Sequence, residues 1–263
     1  MSHVECLTHL DFLPTLTATP VLLPPSLSLV ISNSLTKHTL ADSSTSGYNH
    51  RVAEVTLAAV LLNNAWGEHR DAGERLTLRD VVLQAGFASG NEEDDVRCAV
   101  GKLGEVLGPA SQGWSGKQIL ERCLKARADC PAPSFPALPC GESSSSPRVP
   151  VPSMKRKLTC IDRPQFHLRK RAQHTYDEVL RLAEFVRICR SLQEASPRDG
   201  SASEVEEDCQ VRQLGRLISA THESLRDLYE ATVPSVDELQ RLCLQHGALG
   251  SRQMGESCLR LLK

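Results

Sequence analysis

The sequence PSVDELQRLCLQHGALGSRQMGESCLRLLK, residues 234–263, combines a helix with a glycine-containing turn. Pro234 precedes Ser235, and Glu238 stands three residues after that serine, which is the spacing of a capping box. Gly247 predicts the end of the helix. Apolar residues at helical spacing predict one buried face, which consists of Val236, Leu239, Leu242 and Cys243.

The residues after this helix predict a turn that normally leads into a strand. Gly250 is followed by Ser251 and Arg252, and Gly255 lies three residues further along the chain. Residues 256–263 contain no further glycine and include the run Leu-Arg-Leu-Leu before the final lysine. We therefore expect a divergent tail over these residues, with the chain stopping where the next strand should begin.

The rest of the chain indicates a few strands followed by several helices. Residues 13–33 contain apolar residues in steps of two, as in a half-buried strand, and Pro20 restricts the earlier part to an edge strand or a turn. Helical periodicity begins at Tyr48. Later helices begin at residues suited to capping, namely Thr77, Asn91 and Ser115 with Gln118. A further amphipathic helix should bury Val179, Leu182, Ala183, Val186 and Cys189. These patterns predict an α+β fold.

Two segments rich in proline, serine or charged residues divide the chain. Residues 131–158 predict a flexible linker and residues 195–208 predict a loop. We expect a strand segment with the first helices over residues 1–130 and the helical part of the same lobe over residues 159–255. The divergent tail over residues 256–263 completes this division.

The composition favours a cytoplasmic protein that binds neither nucleic acid nor a membrane. The net charge is -2, with 24% charged residues, so no large electrostatic field points to a polyanion. The N-terminus lacks the features of a secretory signal, and the apolar residues 21–31 are too few to span a bilayer. None of the ten cysteines forms a CxxC pair. Cys243 with His246 lacks a second ligand pair, so no metal site is predicted.

Other candidate motifs have both a functional and a structural interpretation. The basic runs at residues 154–157 and 168–171 suit a nuclear-import or phosphate-binding patch, but a solvated linker end and helix start is the favoured interpretation. His167 and His174 are expected to be surface or packed histidines rather than metal ligands. No phosphate-binding glycine loop and no serine nucleophile elbow occur in the sequence. The residues alone leave the function open.

Three ordered blocks resemble the C-terminal half of the galactokinase family, which are sugar kinases of the GHMP superfamily. The first, VISNSLTKHTLADSSTSGYNHRVAEVTLAAVLL, covers residues 30–62. The second, LRKRAQHTYDEVLRLAEF, covers residues 168–185, and the third, LGRLISATHESLRDLYEATVPSVDELQRLCLQHGALGSR, covers residues 214–252. The Tyr-Asn-x-Arg-Val form at Tyr48 is more similar to the N-acetylgalactosamine kinases. The His-x-Leu form at His38 is more similar to ordinary galactokinases.

The resemblance implies an incomplete GHMP-kinase C-terminal lobe and transfer of the γ-phosphate of Mg-ATP to the C1 hydroxyl of galactose or N-acetylgalactosamine. Such chemistry depends on positioning and on neutralising phosphate charge. The family's sugar signature, serine-rich phosphate loop and aspartate base have no counterpart in this sequence. No catalytic residue is therefore predicted, and we do not expect productive binding of Mg-ATP by this chain.

The resemblance places several residues at family positions. Tyr48 falls on a tyrosine that packs beside the bound sugar, with a structural role at the start of the helix as the equal alternative. Gly250, Ser251, Arg252 and Gly255 are expected to be the remnant of a nucleotide motif, the family's third. The other residues at family positions are expected to make structural contacts. They are Arg51, Glu54, His222, Arg226, Tyr229 and Glu230.

We expect an inactive, truncated chain that is monomeric or prone to aggregate because its sheet lacks its final strands. Two alternatives stay open. One is a non-catalytic regulatory relative that binds sugar or nucleotide, and the other is an interaction fragment with an open sheet edge.

Overall fold

The computed structural model describes residues 6–12, 15–35, 48–67, 76–87, 90–128, 165–194, 204–255 and 257–263. In these ranges the chain forms five β-strands and seven α-helices, so the predicted α+β class is confirmed. The strands are β1 (Cys6–Asp11), β2 (Thr17–Leu22), β3 (Ser28–Asn33), β4 (Gly250–Met254) and β5 (Ser257–Leu262). The helices are α1 (Tyr48–Trp66), α2 (Leu78–Gln84), α3 (Glu92–Leu107), α4 (Gly116–Ala128), α5 (Leu168–Glu194), α6 (Glu204–Ser224) and α7 (Pro234–Gln245).

The chain divides into two compact units. The strand unit consists of residues 1–38 and 178–263, and the helical unit consists of residues 39–177. The predicted linker at residues 131–158 lies outside the described residues, as does the basic run at 154–157. The described residues likewise exclude the first part of the predicted loop 195–208. Residues 204–208 are the start of α6 rather than a loop.

Within its described residues, the strand unit contains two antiparallel sheets. Strands β1 and β2 form one, and the other has the order β3-β5-β4. Pro20 lies in β2, which among the strands that the structure describes pairs only with β1, as the edge-strand prediction requires. Strand β1 was not predicted, because its sequence has only a weak alternation of apolar and polar residues.

The expectation that the chain stops before the next strand is wrong. Residues 257–262, expected to be part of a divergent tail, form β5, which pairs with both β3 and β4. Gly255 connects β4 to β5 with φ 58°, a left-handed conformation that glycine adopts without steric cost. Cys258 and Leu261 are wholly buried in this strand. Side-chain burial therefore specifies a strand here, although residues 256–263 contain no glycine.

Three predicted helix starts are confirmed. Thr77 caps α2 in a capping box with Asp80, and the Asn91 side chain accepts the backbone N–H of Asp94 at 2.8 Å. The Gln118 side chain accepts the backbone N–H of Ser115 at 2.9 Å, and the Ser115 hydroxyl accepts that of Gln118 at 3.3 Å. Each cap satisfies a donor that the helix itself leaves unpaired.

The capping box predicted for α7 is wrong. The N-cap is Val233, which makes no side-chain cap hydrogen bond, and Pro234 occupies the first helical turn. Proline is favoured there because its fixed φ suits a helix and it lacks an N–H that would need a partner. Glu238 forms an ion pair with Arg241 one turn further along, at the surface.

Two predicted helix faces need correction. On α5, Val186 and Cys189 are buried, but Val179 and Leu182 are 42% and 46% exposed. On α7, Val236 and Cys243 are buried whereas Leu242 is 37% exposed. The buried face of each helix is therefore narrower than the apolar pattern suggests.

The core of the strand unit joins the inner sides of both sheets to α5 and α6. Its buried members are Val21, Leu27, Val186, Ile188, Cys189, Val211, Leu214, Ile218 and Leu261. The helical unit is organised around α1, which packs against α2, α3 and α4. Leu57, Ala58, Ala59 and Leu62 of α1 are all 0% exposed. In the same unit, Trp114 and Phe166 exchange two backbone hydrogen bonds just before α5 begins.

Candidate functional site

The predicted sugar-contact residue opens the central helix of the helical unit. Tyr48 is the first residue of α1. Its side chain lies outside the described part of the chain, so a contact with sugar stays a prediction. The next turns of α1 carry His50, Arg51 and Glu54, and all three are buried.

A buried carboxylate cluster surrounds Glu54. Its Oε2 accepts hydrogen bonds from Nη1 of Arg51 at 2.9 Å and from Nε of Arg171 at 2.6 Å. Its Oε1 accepts the backbone N–H of His167 at 2.8 Å, and Nε2 of His50 lies 3.4 Å from the same oxygen. The predicted Arg51–Glu54 pair is thus confirmed, and Arg171 is an additional partner that the sequence pattern did not indicate.

Glu54 stays ionised in this environment. Burial on its own would raise the pKa of Glu54. The His50 imidazole, the charge and hydrogen bond of Arg171 and the backbone N–H of His167 together outweigh burial and hold that pKa well below its usual value. A carboxylate with so low an affinity for protons cannot serve as a general base near neutral pH. The cluster is therefore a structural ion-pair network.

Two arginines of the basic run at residues 168–171 make contacts inside the helical unit, one of them with Glu54, so the interpretation of this run as a solvated patch is wrong. Helix α5 does begin there, but Arg171 is 0% exposed and Arg169 donates from Nη1 to the carbonyl oxygen of Gly108 at 2.8 Å. His174 is also buried. Within the described ranges, no group of three histidine, cysteine or acidic side chains is arranged to hold a metal ion.

The predicted nucleotide-motif remnant lies in the hairpin of the strand unit. Gly250 begins β4, where a side-chain Cβ would collide with the backbone carbonyl of Gly215 on α6. A Cβ on Gly215 would likewise collide with the backbone of Leu249. The two glycines therefore permit close contact between α6 and β4, which is a packing requirement.

The neighbouring polar groups of the hairpin are engaged within the fold. The backbone N–H of Ser251 donates to Oγ of Ser219 at 3.3 Å, and that of Leu249 donates to the carbonyl oxygen of Leu261 at 2.8 Å. The Ser251 hydroxyl donates to the carbonyl oxygen of Leu259 at 3.0 Å. Nη1 of Arg252 lies 4.0 Å from a carboxylate oxygen of Glu178. These donors of the hairpin therefore have partners within the strand unit.

His222 is a neutral buried histidine beside the hairpin. Its Nδ1 accepts the backbone N–H of Gln253 at 3.1 Å, so the ring proton resides on Nε2, which lies 3.2 Å from Oδ1 of Asp237. Burial lowers the pKa of His222, and the Asp237 carboxylate opposes that effect only in part. The predicted packing role of His222 is confirmed by these contacts.

Arg226 and Glu230, which also match family positions, lie just after α6, the helix that contains His222. Arg226 is paired with the adjacent Asp227 at the surface, with Nε and Oδ1 2.8 Å apart. Glu230 has φ 54° and follows the wide helical turn Leu225–Tyr229, whose last hydrogen bond joins Ala231 to Leu225. A left-handed residue of this kind commonly ends a helix.

Cys243 packs within the strand unit against Cys258 and Ala248. Both thiols are buried, and the Sγ atom of Cys258 lies 3.0 Å from Oγ of Ser251. Burial raises the pKa of Cys258, so its thiol stays protonated near neutral pH. His246 is exposed at the end of α7.

The helical unit contains a cleft that no sequence motif predicts. It has a volume of about 750 Å³ and includes Trp114, Gln112, Arg122 and Lys125 in its lining. These residues lie on α4 and on the segment before it, and no sequence motif marks them. The cleft is also lined by Leu61 of α1 and Val106 of α3, so residues distant in sequence form it together.

No helix in the described ranges is both long and apolar enough to cross a membrane.

Two curated relatives match nearly the whole chain. A protein named galactokinase from Dictyostelium discoideum is 27% identical over 252 residues, which is 94% of this chain and 44% of that protein. A galactokinase from Saccharomyces cerevisiae is 25% identical over 260 residues, covering 94% of this chain and 45% of that protein. No protein-family model matches the chain. The chain therefore spans less than half the length of these relatives. The predicted resemblance to the galactokinase family is confirmed over 94% of this sequence.

Proposed function

We propose that this chain supplies the C-terminal lobe of a galactokinase-type sugar kinase. The family's reaction transfers the γ-phosphate of ATP, with Mg²⁺, to the C1 hydroxyl of galactose or N-acetylgalactosamine. The observation that carries the proposal is the match of 94% of the chain to two galactokinases. The α+β architecture and the buried Arg51–Glu54–Arg171 network support it, because the network joins two of the three family blocks inside one unit.

The chain by itself is proposed to be inactive. Phosphoryl transfer depends on groups that position the nucleotide and neutralise its charge. The family's sugar signature, phosphate loop and aspartate base have no counterpart in the sequence, and the backbone N–H and the hydroxyl of Ser251 both donate to partners within the fold. The contribution of this chain is then a scaffold and one side of a sugar pocket at Tyr48, with the reacting groups supplied by other residues.

A chimeric enzyme tests this proposal. The matched stretch of the Dictyostelium galactokinase is replaced by this chain, and ATP-dependent phosphorylation is measured with galactose and with N-acetylgalactosamine. We expect measurable turnover with one of the sugars and none from the chain alone. A folded chimera without activity toward either sugar would contradict the proposal.

Tyr48 provides a sharper test in the same chimera. A tyrosine beside a sugar covers apolar C–H groups with its ring. Tyr48→Ala should therefore raise KM for the sugar at least tenfold while leaving KM for ATP within twofold. Tyr48→Phe, which keeps the ring, is the matched control and should change KM far less. Equal effects on both substrates would assign Tyr48 a structural role.

A further inference from the structure

One wall of the cleft in the helical unit is a single face of α4. Four lining residues have the spacing of three and four positions that places side chains on one side of a helix, and they are Gln118, Glu121, Arg122 and Lys125. Glu121 is paired with Lys117, whose Nζ lies 3.9 Å from its Oε1. In the described ranges, neither Arg122 nor Lys125 has a carboxylate within ion-pair distance. This wall therefore presents two cations that are available to a bound anion.

The guanidinium of Arg122 lies over a fixed aromatic ring. Its Cζ atom is 5.7 Å from the centroid of the Trp114 ring, which is the geometry of a cation–π contact. Trp114 is 4% exposed, and its Nε1 donates to the carbonyl oxygen of Leu107 at 3.1 Å. The ring thus supports Arg122 while the guanidinium stays exposed at its edge. A guanidinium presents its N–H donors in a planar fork that matches the oxygens of a phosphate or carboxylate.

The other lining groups suit the body of a small polar ligand. Asn64 and Gln112 contribute amide side chains, which can both donate and accept hydrogen bonds. Leu61 and Val106 are buried and form an apolar floor. The cleft volume of about 750 Å³ lies within the range of about 300–1,000 Å³ that is usual for small-molecule sites.

We propose that this cleft binds the phosphate ester of a small polyhydroxy compound. The phosphate would lie at Arg122 and Lys125, and the hydroxyl groups at Asn64 and Gln112. A phosphate monoester carries nearly two negative charges near neutral pH, so it matches two cations better than a single carboxylate does. Glu121, on the same face, can accept a hydrogen bond from a hydroxyl group and disfavours a larger polyanion.

This binding site is separate from the sugar contact proposed at Tyr48. More than three turns of α1 separate Leu61 from Tyr48, which is about 20 Å along the helix axis. The proposal rests on the cleft alone and does not depend on the proposed kinase reaction.

Calorimetry on the full 263-residue chain tests the proposal without any catalytic activity. Glucose 6-phosphate is the probe, and glucose and inorganic phosphate are titrated separately under the same conditions. We expect glucose 6-phosphate to bind with a dissociation constant of about 1 mM or lower. Each of the other two probes should bind at least tenfold more weakly, because each lacks half of the proposed contacts.

Substitutions locate the bound probe. The double variant Arg122→Gln with Lys125→Gln should weaken binding at least tenfold, since it removes both cations from an exposed wall. The matched control is Arg97→Gln with Lys102→Gln, which makes the same change of charge at exposed positions of α3 outside the cleft lining. This control should alter the dissociation constant less than twofold.

A second variant tests the cleft itself. Ala65 is an exposed lining residue, so Ala65→Phe fills part of the cleft while keeping both cations. Binding should again weaken at least tenfold, and circular dichroism checks that each variant keeps its helices.

Four results would overturn the proposal. These are no heat of binding with millimolar glucose 6-phosphate, inorganic phosphate that binds as tightly as the ester, an equal loss of binding in the α3 control, and undiminished binding in Ala65→Phe. The outcome is separable from that of the chimera, because calorimetry reports on the cleft and the kinase assay reports on the proposed function.

Discussion

The helical unit and the strand unit accommodate buried polar residues in different ways. In the helical unit, Glu54 is an ionised carboxylate that contacts two arginines in the protein interior. In the strand unit, His222 is neutral and hydrogen-bonds a backbone amide, while Gly215 and Gly250 bring α6 and β4 into direct backbone contact. Glu54, His222 and Gly250, which match family motifs, thus make structural contacts in their respective units. One unit relies on charge pairing and the other on close packing.

The largest expected effect is the loss of the buried charge at Glu54. Glu54→Gln keeps the shape of the side chain but removes the negative charge facing Arg51 and Arg171. Removing one partner of a buried ion pair costs about 3–5 kcal/mol, so urea unfolding should show a loss of this size.

Glu238→Gln is the matched control, because Glu238 pairs with Arg241 where both side chains are about half exposed. Surface pairs contribute about 0–1 kcal/mol, so this change should have little effect. A loss below about 1 kcal/mol for Glu54→Gln would mean that the helical unit does not depend on its ionic cluster.

The second largest expected loss of stability comes from disturbing the close packing of the strand unit. Gly250→Ala places a methyl group against the Gly215 carbonyl, which is backbone and cannot rotate away. Overpacking of a core costs about 1–3 kcal/mol, and we expect the upper part of this range in thermal or urea unfolding.

Gly101→Ala should change the stability in the opposite direction. Gly101 lies within α3, and an alanine Cβ at this position would have no neighbouring atom within 4 Å. Alanine in a helix is favoured over glycine by about 1 kcal/mol, so this variant should be more stable than the wild type. A Gly250→Ala protein as stable as the wild type would show that α6 and β4 can separate without cost.

The smallest effect concerns pH and His222. Because the pKa of His222 is lowered in the folded chain, the unfolded chain binds this proton at a higher pH. The contribution to stability is complete above the unfolded value of about 6.5 and decreases as the pH falls below it. The free energy of unfolding should therefore decline from about pH 7.5 to about pH 5.5, by at most about 1.4 kcal/mol per pH unit.

His222→Asn removes this titration and should flatten the decline, whatever its effect at neutral pH. Asn33→His, at an exposed strand position, adds a histidine whose titration should leave the slope unchanged. If the wild type and His222→Asn show parallel pH profiles, His222 does not titrate during unfolding.

Local features of the sequence predicted much of the fold. The caps at Thr77, Asn91 and Ser115 were predictable because a cap depends on side chains within three residues. The Arg51–Glu54 pair was predictable for the same reason. The start of α7 was misplaced because Pro234 and Ser235 favour different starting positions, and the proline determines it.

Features that depend on distant residues were not predictable. Arg171 reaches Glu54 across 117 positions of sequence, and neither residue indicates the other. Strand β5 exists because Leu261 and Cys258 are buried between partners on both sides, and a short apolar run does not show that by itself. Of the candidate site, the sequence placed Tyr48 at the start of α1 but missed the cleft near Trp114.

The pairing of β3 with β5 has a consequence for how the protein is made. Asn33 lies opposite Ser257, so a ribosome must add more than two hundred residues after β3 before its partner strand exists. Throughout that interval the hydrogen-bonding edge and apolar side chains of β3 are open to other nascent chains, and contacts so far apart in sequence form slowly. Chaperone supply during translation should therefore govern the yield of folded protein more strongly than its final stability does.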